Sequence, residues 1–304
     1  MSPALAWHDS IFRSYLAILG ATLLGAGIIL TIVQFVRPKS LGEIWHTYFS
    51  WLIMGPLVAL AIFSGRVAFV VATAVVAAFA FREFARASGL VRDRAITPLV
   101  YFGVGVVAVG SLFVRSPNEY ALPVIALILL FPVLRNRTEN ALRSLSLGMI
   151  GFVLLGWMFG YVGFLANSAH RYGYLCYLIF ATELNDVVAF VCGKIFGRHP
   201  LRDRISPRKS WEGALGALAI SLILPWLLRF SFPFFGTMEL ILTGLIVSLG
   251  GTFGDLTISL CKREFGAKDM GAAIPGHGGI LDRIDSLIFT APLFMQLTKH
   301  YHPW

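Results

Sequence analysis

Charged residues are scarce in this sequence, and their scarcity excludes most soluble folds. Only 13% of the 304 residues are charged, whereas 57% are hydrophobic, and the mean hydropathy is +0.76. A soluble domain of ordinary composition carries about 25% charged residues, so this chain has too little polar surface to cover itself in water. The composition therefore predicts an all-α, polytopic integral membrane protein.

The sequence also lacks a cysteine motif and a signal-peptide pattern. Its three cysteines, Cys176, Cys192 and Cys261, lie in or beside apolar segments and form no C-x-x-C pair. We interpret them as small buried residues rather than as a metal or redox site. The first apolar run, residues 14–36, is far longer than the ~7–15 residues of a signal-peptide core, so we expect a retained first span.

The sequence contains many long apolar runs, and apolar runs of about 20 residues predict membrane spans. They occur at 14–36, 48–64, 67–82, 98–114, 119–134, 146–167, 172–192, 211–229, 238–260 and 284–299. We therefore predict ten spans. Three of the runs are short, so nine spans are an alternative.

The basic residues are distributed unevenly among the predicted loops. Nineteen of the 25 lysines and arginines fall in the loops after spans one, three, five, seven and nine. Cytoplasmic loops are enriched in these residues, so this side is predicted to face the cytoplasm, with both termini outside. For the same reason the net charge of +9 does not indicate a nucleic acid partner.

The acidic residues divide the chain into two regions. Ten of the sixteen acids lie from residue 183 onward, whereas the spans before residue 170 hold few polar residues. We predict that residues 1–170 are a packing scaffold that also gives lipid access. Residues 171–304 are predicted to form the catalytic region, with an active site on the cytoplasmic face.

Several of these acids lie inside apolar spans. Glu183 and Asp186 are three residues apart and share a helix face, Asp255 lies within another span, and Asp282 and Asp285 fall one turn apart where the last span begins. A carboxylate at the centre of a bilayer costs about 2.5–3.5 kcal/mol. The acids must therefore face a wet cavity, a cation or a polar partner. A buried hydrogen-bonded cluster is the structural alternative.

A basic loop precedes the eighth span. Ser206 and Pro207 predict a turn, and Arg208 and Lys209 lie just before a helix that Ser210 can cap. Cations beside a helix N-terminus suit a phosphate group. A membrane anchor of the positive-inside kind is the alternative for any single arginine here.

A glycine-rich stretch precedes the last span. Gly278 and Gly279 let a ligand approach the backbone closely. Their neighbour His277 is a metal ligand, a base or a hydrogen-bonding spacer. Acids that hold Mg²⁺ attract phosphates, so the combination predicts metal-assisted phosphoryl or nucleotidyl transfer.

A series of polar and glycine motifs runs toward the C-terminus: Ser259, Lys262-Arg263, Lys268-Asp269, His277-Gly278-Gly279 and Asp282-Arg283-x-Asp285. Together these motifs resemble the signature of the phosphatidate cytidylyltransferases, the CDP-diacylglycerol synthases. Asn185-Asp186, Gly193-Lys194 and the segment SPRKSWEG at 206–213 are similar to further family motifs. The departures, at Phe190, Ser210 and Cys261, remove no charged group.

The resemblance implies a reaction in phospholipid biosynthesis, in which CTP and phosphatidic acid give CDP-diacylglycerol and pyrophosphate. It implies Mg²⁺ with a second cation such as K⁺, a bacterial inner-membrane location, and leaves a homodimer open. The implied metal ligands are Asp255 and Asp282, with Asp186, Asp269 and Asp285 as further candidates. The predicted catalytic residues are Asp255, Asp282, Lys268, Asp269, His277 and Arg283. The predicted substrate-binding residues are Lys194, Ser206, Arg208, Lys209, Lys262, Arg263, Gly278 and Gly279.

Two other functions fit parts of the pattern. A CTP-dependent lipid kinase or an ether-lipid cytidylyltransferase would use similar motifs on another lipid. An ion or proton transporter would use Glu183, Asp186, Asp255 and Asp282 as an intramembrane relay. The transporter accounts for the buried acids but not for the basic and glycine-rich loops.

Overall fold

A computed structural model describes residues 2–36, 42–113, 117–136, 138–271 and 278–302 of the chain. Most of these residues lie in helices, and seven helical stretches are long and apolar enough to cross a membrane, which confirms the predicted all-α membrane class. The helices of the first half are α1 Pro3–His8, α2 Ser10–Val36, α3 Gly42–Phe63, α4 Arg66–Ala87, α5 Ile96–Phe113, α6 Asn118–Leu134, α7 Ala141–Gly151 and α8 Gly160–Leu165. Those of the second half are α9 Arg171–Phe196, α10 Trp211–Leu227, α11 Thr237–Glu264 and α12 Leu281–Tyr301.

The predicted spans match helices, but their number stays a prediction. Within the described residues, seven helical stretches are long and apolar enough to cross a membrane. Helices α6 and α10 are apolar but have only 17 residues each, about 25 Å at 1.5 Å per residue. Helix α12 has 21 residues and carries charges near both ends.

The sixth span is continuous but irregular. Helix α7 passes through a π-helical stretch, Phe152–Met158, and continues as α8. Two short 3-10 turns, Leu90–Arg92 and Arg229–Ser231, complete the helical elements of the described chain.

The loop between α9 and α10 contains a small hairpin. Strand β1, Pro200–Arg202, pairs antiparallel with β2, Ser206–Ser210, so the turn lies at 203–205. The prediction that Ser206 and Pro207 start a turn is therefore wrong, because Ser206 already pairs with Arg202. Pro207 is tolerated because a strand with a single neighbour does not need every N–H for pairing.

Glycines bring the four C-terminal helices close together. A Cβ at Gly250 would lie 2.9 Å from the Thr290 hydroxyl, and one at Gly254 would meet the Asp285 carbonyl oxygen. On the other side of the bundle, a Cβ at Gly213 would lie 2.6 Å from the Ala189 carbonyl oxygen. Small residues at helix contacts allow this approach of backbones in membranes. The close packing places the acids of α9, α11 and α12 at one site.

Contacts between loops agree with the prediction that the loops after the odd-numbered spans lie on the same side of the membrane. The Arg263 guanidinium donates to the Ile205 carbonyl, 3.1 Å, and Glu83 near the end of α4 accepts from Ile280, 3.0 Å. The loops after α4, α9 and α11 therefore lie at one face. At the other face, His302 contacts Glu239 at 2.5 Å.

Helix α12 also packs against α4 and α8, so the two predicted regions are in direct contact. The division at residue 170 stays a prediction.

Candidate active site

The hairpin is fixed to the start of α10 by its own polar groups. The Ser210 hydroxyl accepts from the Gly213 amide at 3.1 Å, which confirms the predicted helix cap. The Glu212 carboxylate accepts from the amides of Arg198 and His199 at 3.1 and 3.3 Å. These bonds hold the basic hairpin against the ends of α9 and α10.

The hairpin covers a cavity of about 1000 Å³ at the ends of α9 and α11. Ligand cavities commonly measure about 300–1,000 Å³, so this one can hold a large ligand. Its charged lining residues are Asp186, Lys194, Arg208, Lys209, Asp255, Lys262, Arg263, Lys268 and Asp269. Six cations face three carboxylates, and this excess of positive charge favours a polyanionic ligand.

Asp186 is positioned by helices α10 and α12. The Ser286 hydroxyl donates to one of its carboxylate oxygens at 2.7 Å. Its neighbour Asn185, 1% exposed, accepts from the Ser221 hydroxyl at 3.0 Å and donates to Asp186 at 3.4 Å. Asp186, which lies on α9, is thus oriented by residues of α10 and α12.

Asp255 is bound from the hairpin. The Lys209 ammonium forms an ion pair with one of its oxygens, and the Ser259 hydroxyl donates to the other at 3.2 Å. Both charged side chains stay partly open to the cavity, at 29% and 26% exposure.

Asp282 lies deeper and has three donors. The Lys262 ammonium donates to one oxygen at 2.8 Å, and the amides of Met270 and Gly279 donate to the other at 3.1 and 3.0 Å. Its side chain is 7% exposed and does not line the cavity. Asp282 therefore acts on the cavity indirectly, by binding Lys262, which lines it.

Two of the carboxylates, Asp186 and Asp285, accept hydrogen bonds from neutral donors. Asp285, 7% exposed, accepts from the Ser286 amide at 2.8 Å, and the hydroxyl of the same serine donates to Asp186. In the described part of the chain, neither Asp186 nor Asp285 has a lysine or arginine as ion-pair partner. Unbalanced carboxylate oxygens fit a hard divalent cation.

The acids are nevertheless not arranged as a finished metal site. Among the residues that the structure describes, no group of three His, Cys, Asp or Glu side chains is placed to hold an ion. Lys209 and Lys262 instead bind two of the acids. Magnesium therefore stays a prediction.

The structure brings most of the predicted residues together, but not all. The cavity is lined by Lys194, Ser206, Arg208, Lys209, Lys262, Arg263, Lys268, Asp269, Asp186 and Asp255. Arg283 is outside this lining. His277 lies outside the described residues.

The glycines near Asp282 do not line the cavity either. Gly278 adopts a φ of +79°, a conformation that favours glycine, and a Cβ there would lie 3.1 Å from Asp282. Gly279 donates to Asp282 as described. Both therefore shape the surroundings of Asp282.

Sequence reasoning missed two contributions to this site. Glu83, on α4 of the supposed scaffold, binds the segment before α12. The one sequence feature that could have indicated Glu83 is its position as an acidic residue at the end of an apolar run. Asn185 was recognised within a motif, but its contact with Ser221 depends on helix packing and could not be read from the sequence.

Comparison with known proteins gives a family and several relatives. The sequence model described as the cytidylyltransferase family matches residues 45–301. The phosphatidate cytidylyltransferase of Staphylococcus haemolyticus (strain JCSC1435) is 38% identical over 160 residues, which cover 52% of this chain and 60% of the relative. That of Staphylococcus saprophyticus is 35% identical over 195 residues, covering 61% and 75%.

A third relative carries no activity in its name. The uncharacterized protein YnbB of Escherichia coli (strain K12) is 39% identical over 124 residues, covering 41% of this chain and 42% of the relative. The chain thus spans 60% or less of the length of this relative and of the one from Staphylococcus haemolyticus.

Proposed function

The chain belongs to the cytidylyltransferase family, and we propose that it transfers the cytidylyl group of CTP to phosphatidic acid. A phosphate oxygen of the lipid attacks the α-phosphorus of CTP, and a new P–O bond forms. The bond from that phosphorus to the oxygen bridging to the β-phosphate breaks, and pyrophosphate leaves. The products are CDP-diacylglycerol and pyrophosphate.

The observation that carries this proposal is the charge of the cavity, six cations against three acids at the ends of membrane helices. Both substrates are multiply anionic and repel each other. Lysines and arginines from two segments of the chain can bind both substrates at once. These residues are Lys194, Arg208 and Lys209 from the segment 194–209, and Lys262, Arg263 and Lys268 from the segment 262–268. The attacking phosphate is already ionised at neutral pH, so positioning and charge neutralisation suffice.

Magnesium is part of the proposal. The acids that would hold it are those expected from the family resemblance, Asp255 and Asp282 with Asp186, Asp269 and Asp285 as further candidates. Of these, Asp186, Asp255 and Asp269 line the cavity. A bound Mg²⁺ would neutralise charge on the phosphates during the transfer. A second cation such as K⁺, and assembly as a homodimer, stay predictions from the family resemblance.

Product analysis tests the reaction. Purified protein is incubated with Mg²⁺, phosphatidic acid in mixed micelles, and CTP labelled at the α-phosphate. We expect the label in the lipid and one pyrophosphate per lipid product. In a parallel reaction with CTP labelled at the γ-phosphate, label in the lipid and release of CDP would identify a lipid kinase instead. Absence of any CTP-dependent turnover would contradict the proposal and favour a transporter.

A location in the bacterial inner membrane, with the cavity facing the cytoplasm, is also proposed. It rests on the 19 basic residues of one set of loops. In a variant whose three native cysteines are replaced by serine, we expect Arg204→Cys to react with an impermeant maleimide only after the cells are opened. Ala169→Cys, in the turn before α9, should react in intact cells. The reverse pattern would refute this orientation.

A further inference from the structure

Glu83 is a buried carboxylate that holds the start of α12 from the other half of the chain. It lies on α4 and is 8% exposed, between the exposed Arg82 and Arg86. One of its oxygens accepts from the Ile280 amide at 3.0 Å, and the other accepts from the Leu281 amide at 2.9 Å. The first amides of a helix have no partner within the helix, so a carboxylate from outside satisfies them.

The backbone closes around this carboxylate on two sides. A Cβ at Gly271 would lie 2.5 Å from the carboxyl carbon of Glu83, and a Cβ at Gly279 would lie 2.9 Å from it. The same Cβ at Gly279 would lie 2.8 Å from the Gly271 amide nitrogen. Both positions therefore require glycine as long as Glu83 is in place.

The segment 279–281, whose amides bind Glu83, also binds Asp282. Three consecutive amides point to two carboxylates: Gly279 donates to Asp282, and Ile280 and Leu281 donate to Glu83. A shift of this segment would move the Gly279 amide, and with it an oxygen of Asp282. Through the other oxygen it would disturb Lys262, which lines the cavity.

Glu83 does not line the cavity, so a direct role in binding substrate does not account for its burial. A buried carboxylate is costly unless its oxygens are satisfied. Here two amide donors and the positive end of the α12 dipole compensate it, as charge-assisted hydrogen bonds do.

From these contacts we propose that Glu83 is a positioning residue for the reaction proposed above, on which this inference rests. It fixes the turn 279–281 so that Asp282 holds Lys262 at the cavity. The first half of the chain thereby contributes to the active site, beyond packing and lipid access.

Glu83→Gln is the first test. Glutamine keeps the size and one carbonyl oxygen, but its amide group cannot accept from the second N–H. We expect kcat to fall by about 10- to 100-fold, as for other outer-shell partners of polar sites, while KM for CTP changes much less. Hydrogen–deuterium exchange of the peptide 278–285 should become faster. Glu119→Gln, in the same half of the chain, should change neither quantity.

Gly271→Ala is a second test that alters no charge. The added methyl group would press on the Glu83 carboxylate, so the same faster exchange and lower kcat are expected. Gly105→Ala is the matched control, since a Cβ there meets nothing within 4 Å.

The exchange measurement needs no substrate, so it separates this inference from the proposed reaction. If the wild-type chain forms no CDP-diacylglycerol, the proposed reaction fails, whereas the exchange data still decide whether Glu83 holds the turn. Unchanged exchange in Glu83→Gln would overturn the inference, and so would faster exchange with a wild-type kcat. If Glu83→Gln does not fold, Gly271→Ala and its control Gly105→Ala decide the question, again by the exchange rate of the peptide 278–285 and by kcat.

Discussion

Asp282→Asn is expected to lower kcat for CDP-diacylglycerol formation by about 100- to 1000-fold, because Lys262 would lose the carboxylate that holds it at the cavity. Loss of one electrostatic contact to a transition state has an effect of this size. Asparagine has nearly the same shape, so the chain should still fold. Its amide group, however, can accept on only one side and carries no charge. Either Lys262, or both the Met270 and the Gly279 amides, must then lose the acceptor.

The loss should not be recovered at high Mg²⁺, because the position of Lys262 depends on the charge of Asp282. Steady-state rates per folded protein, with folding checked by size exclusion in detergent, measure the effect. Asp203→Asn, an exposed acid in the hairpin turn, is the matched control and should keep the wild-type rate. A wild-type kcat in Asp282→Asn would remove Asp282 from the mechanism.

The helices could be predicted from the sequence because hydrophobic length alone specifies them. The run at 172–192, for example, corresponds to α9, Arg171–Phe196. The prediction ends four residues early because Gly193 and Lys194 interrupt the apolar pattern without ending the helix. The packing of neighbouring helices around these two residues decides where α9 ends, and the apolar periodicity of the sequence does not record that packing.

The pairing of acids with lysines could not be predicted. Asp255 and Asp282 were grouped as the main metal ligands, yet each binds a different lysine, Lys209 and Lys262. Asp285, one turn after Asp282, binds neither of these lysines and accepts from the Ser286 amide. Spacing places residues on one helix face, but only packing decides which neighbouring helix that face meets.

The contribution of the first half was missed for a related reason. Glu83 and Ile280 are 197 residues apart in sequence. The motifs that predict chemistry are local, and all of them lie in the second half. A contact between a side chain and backbone amides leaves no residue pattern on the amide side, so a single sequence gives no sign of it.

Asp255→Asn is the second variant with a large expected effect, and its signature should differ from that of Asp282→Asn. Asp255 lines the cavity together with Asp186 and Asp269. Removing the charge of Asp255 lowers the affinity of the acid cluster for a divalent cation. We expect a fall in kcat of about 100- to 1000-fold together with a higher Mg²⁺ requirement. Glu264→Gln, an exposed acid at the end of the same helix, should behave as wild type.

The ion pair with Lys209 offers a sharper test of why Asp255 matters. If Asp255 served only to hold Lys209, then Lys209→Met would be as inactive as Asp255→Asn, and the double variant would be no worse than either. If Asp255 binds the cation while Lys209 binds phosphate, the two single variants should differ: Lys209→Met raises KM for CTP, and Asp255→Asn raises the Mg²⁺ requirement. A double-mutant cycle on both parameters separates these cases, because residues in direct contact reveal their coupling as a departure from additivity. Identical effects of the two single variants on both parameters would reduce Asp255 to a positioning role and leave the cation to Asp186 and Asp285.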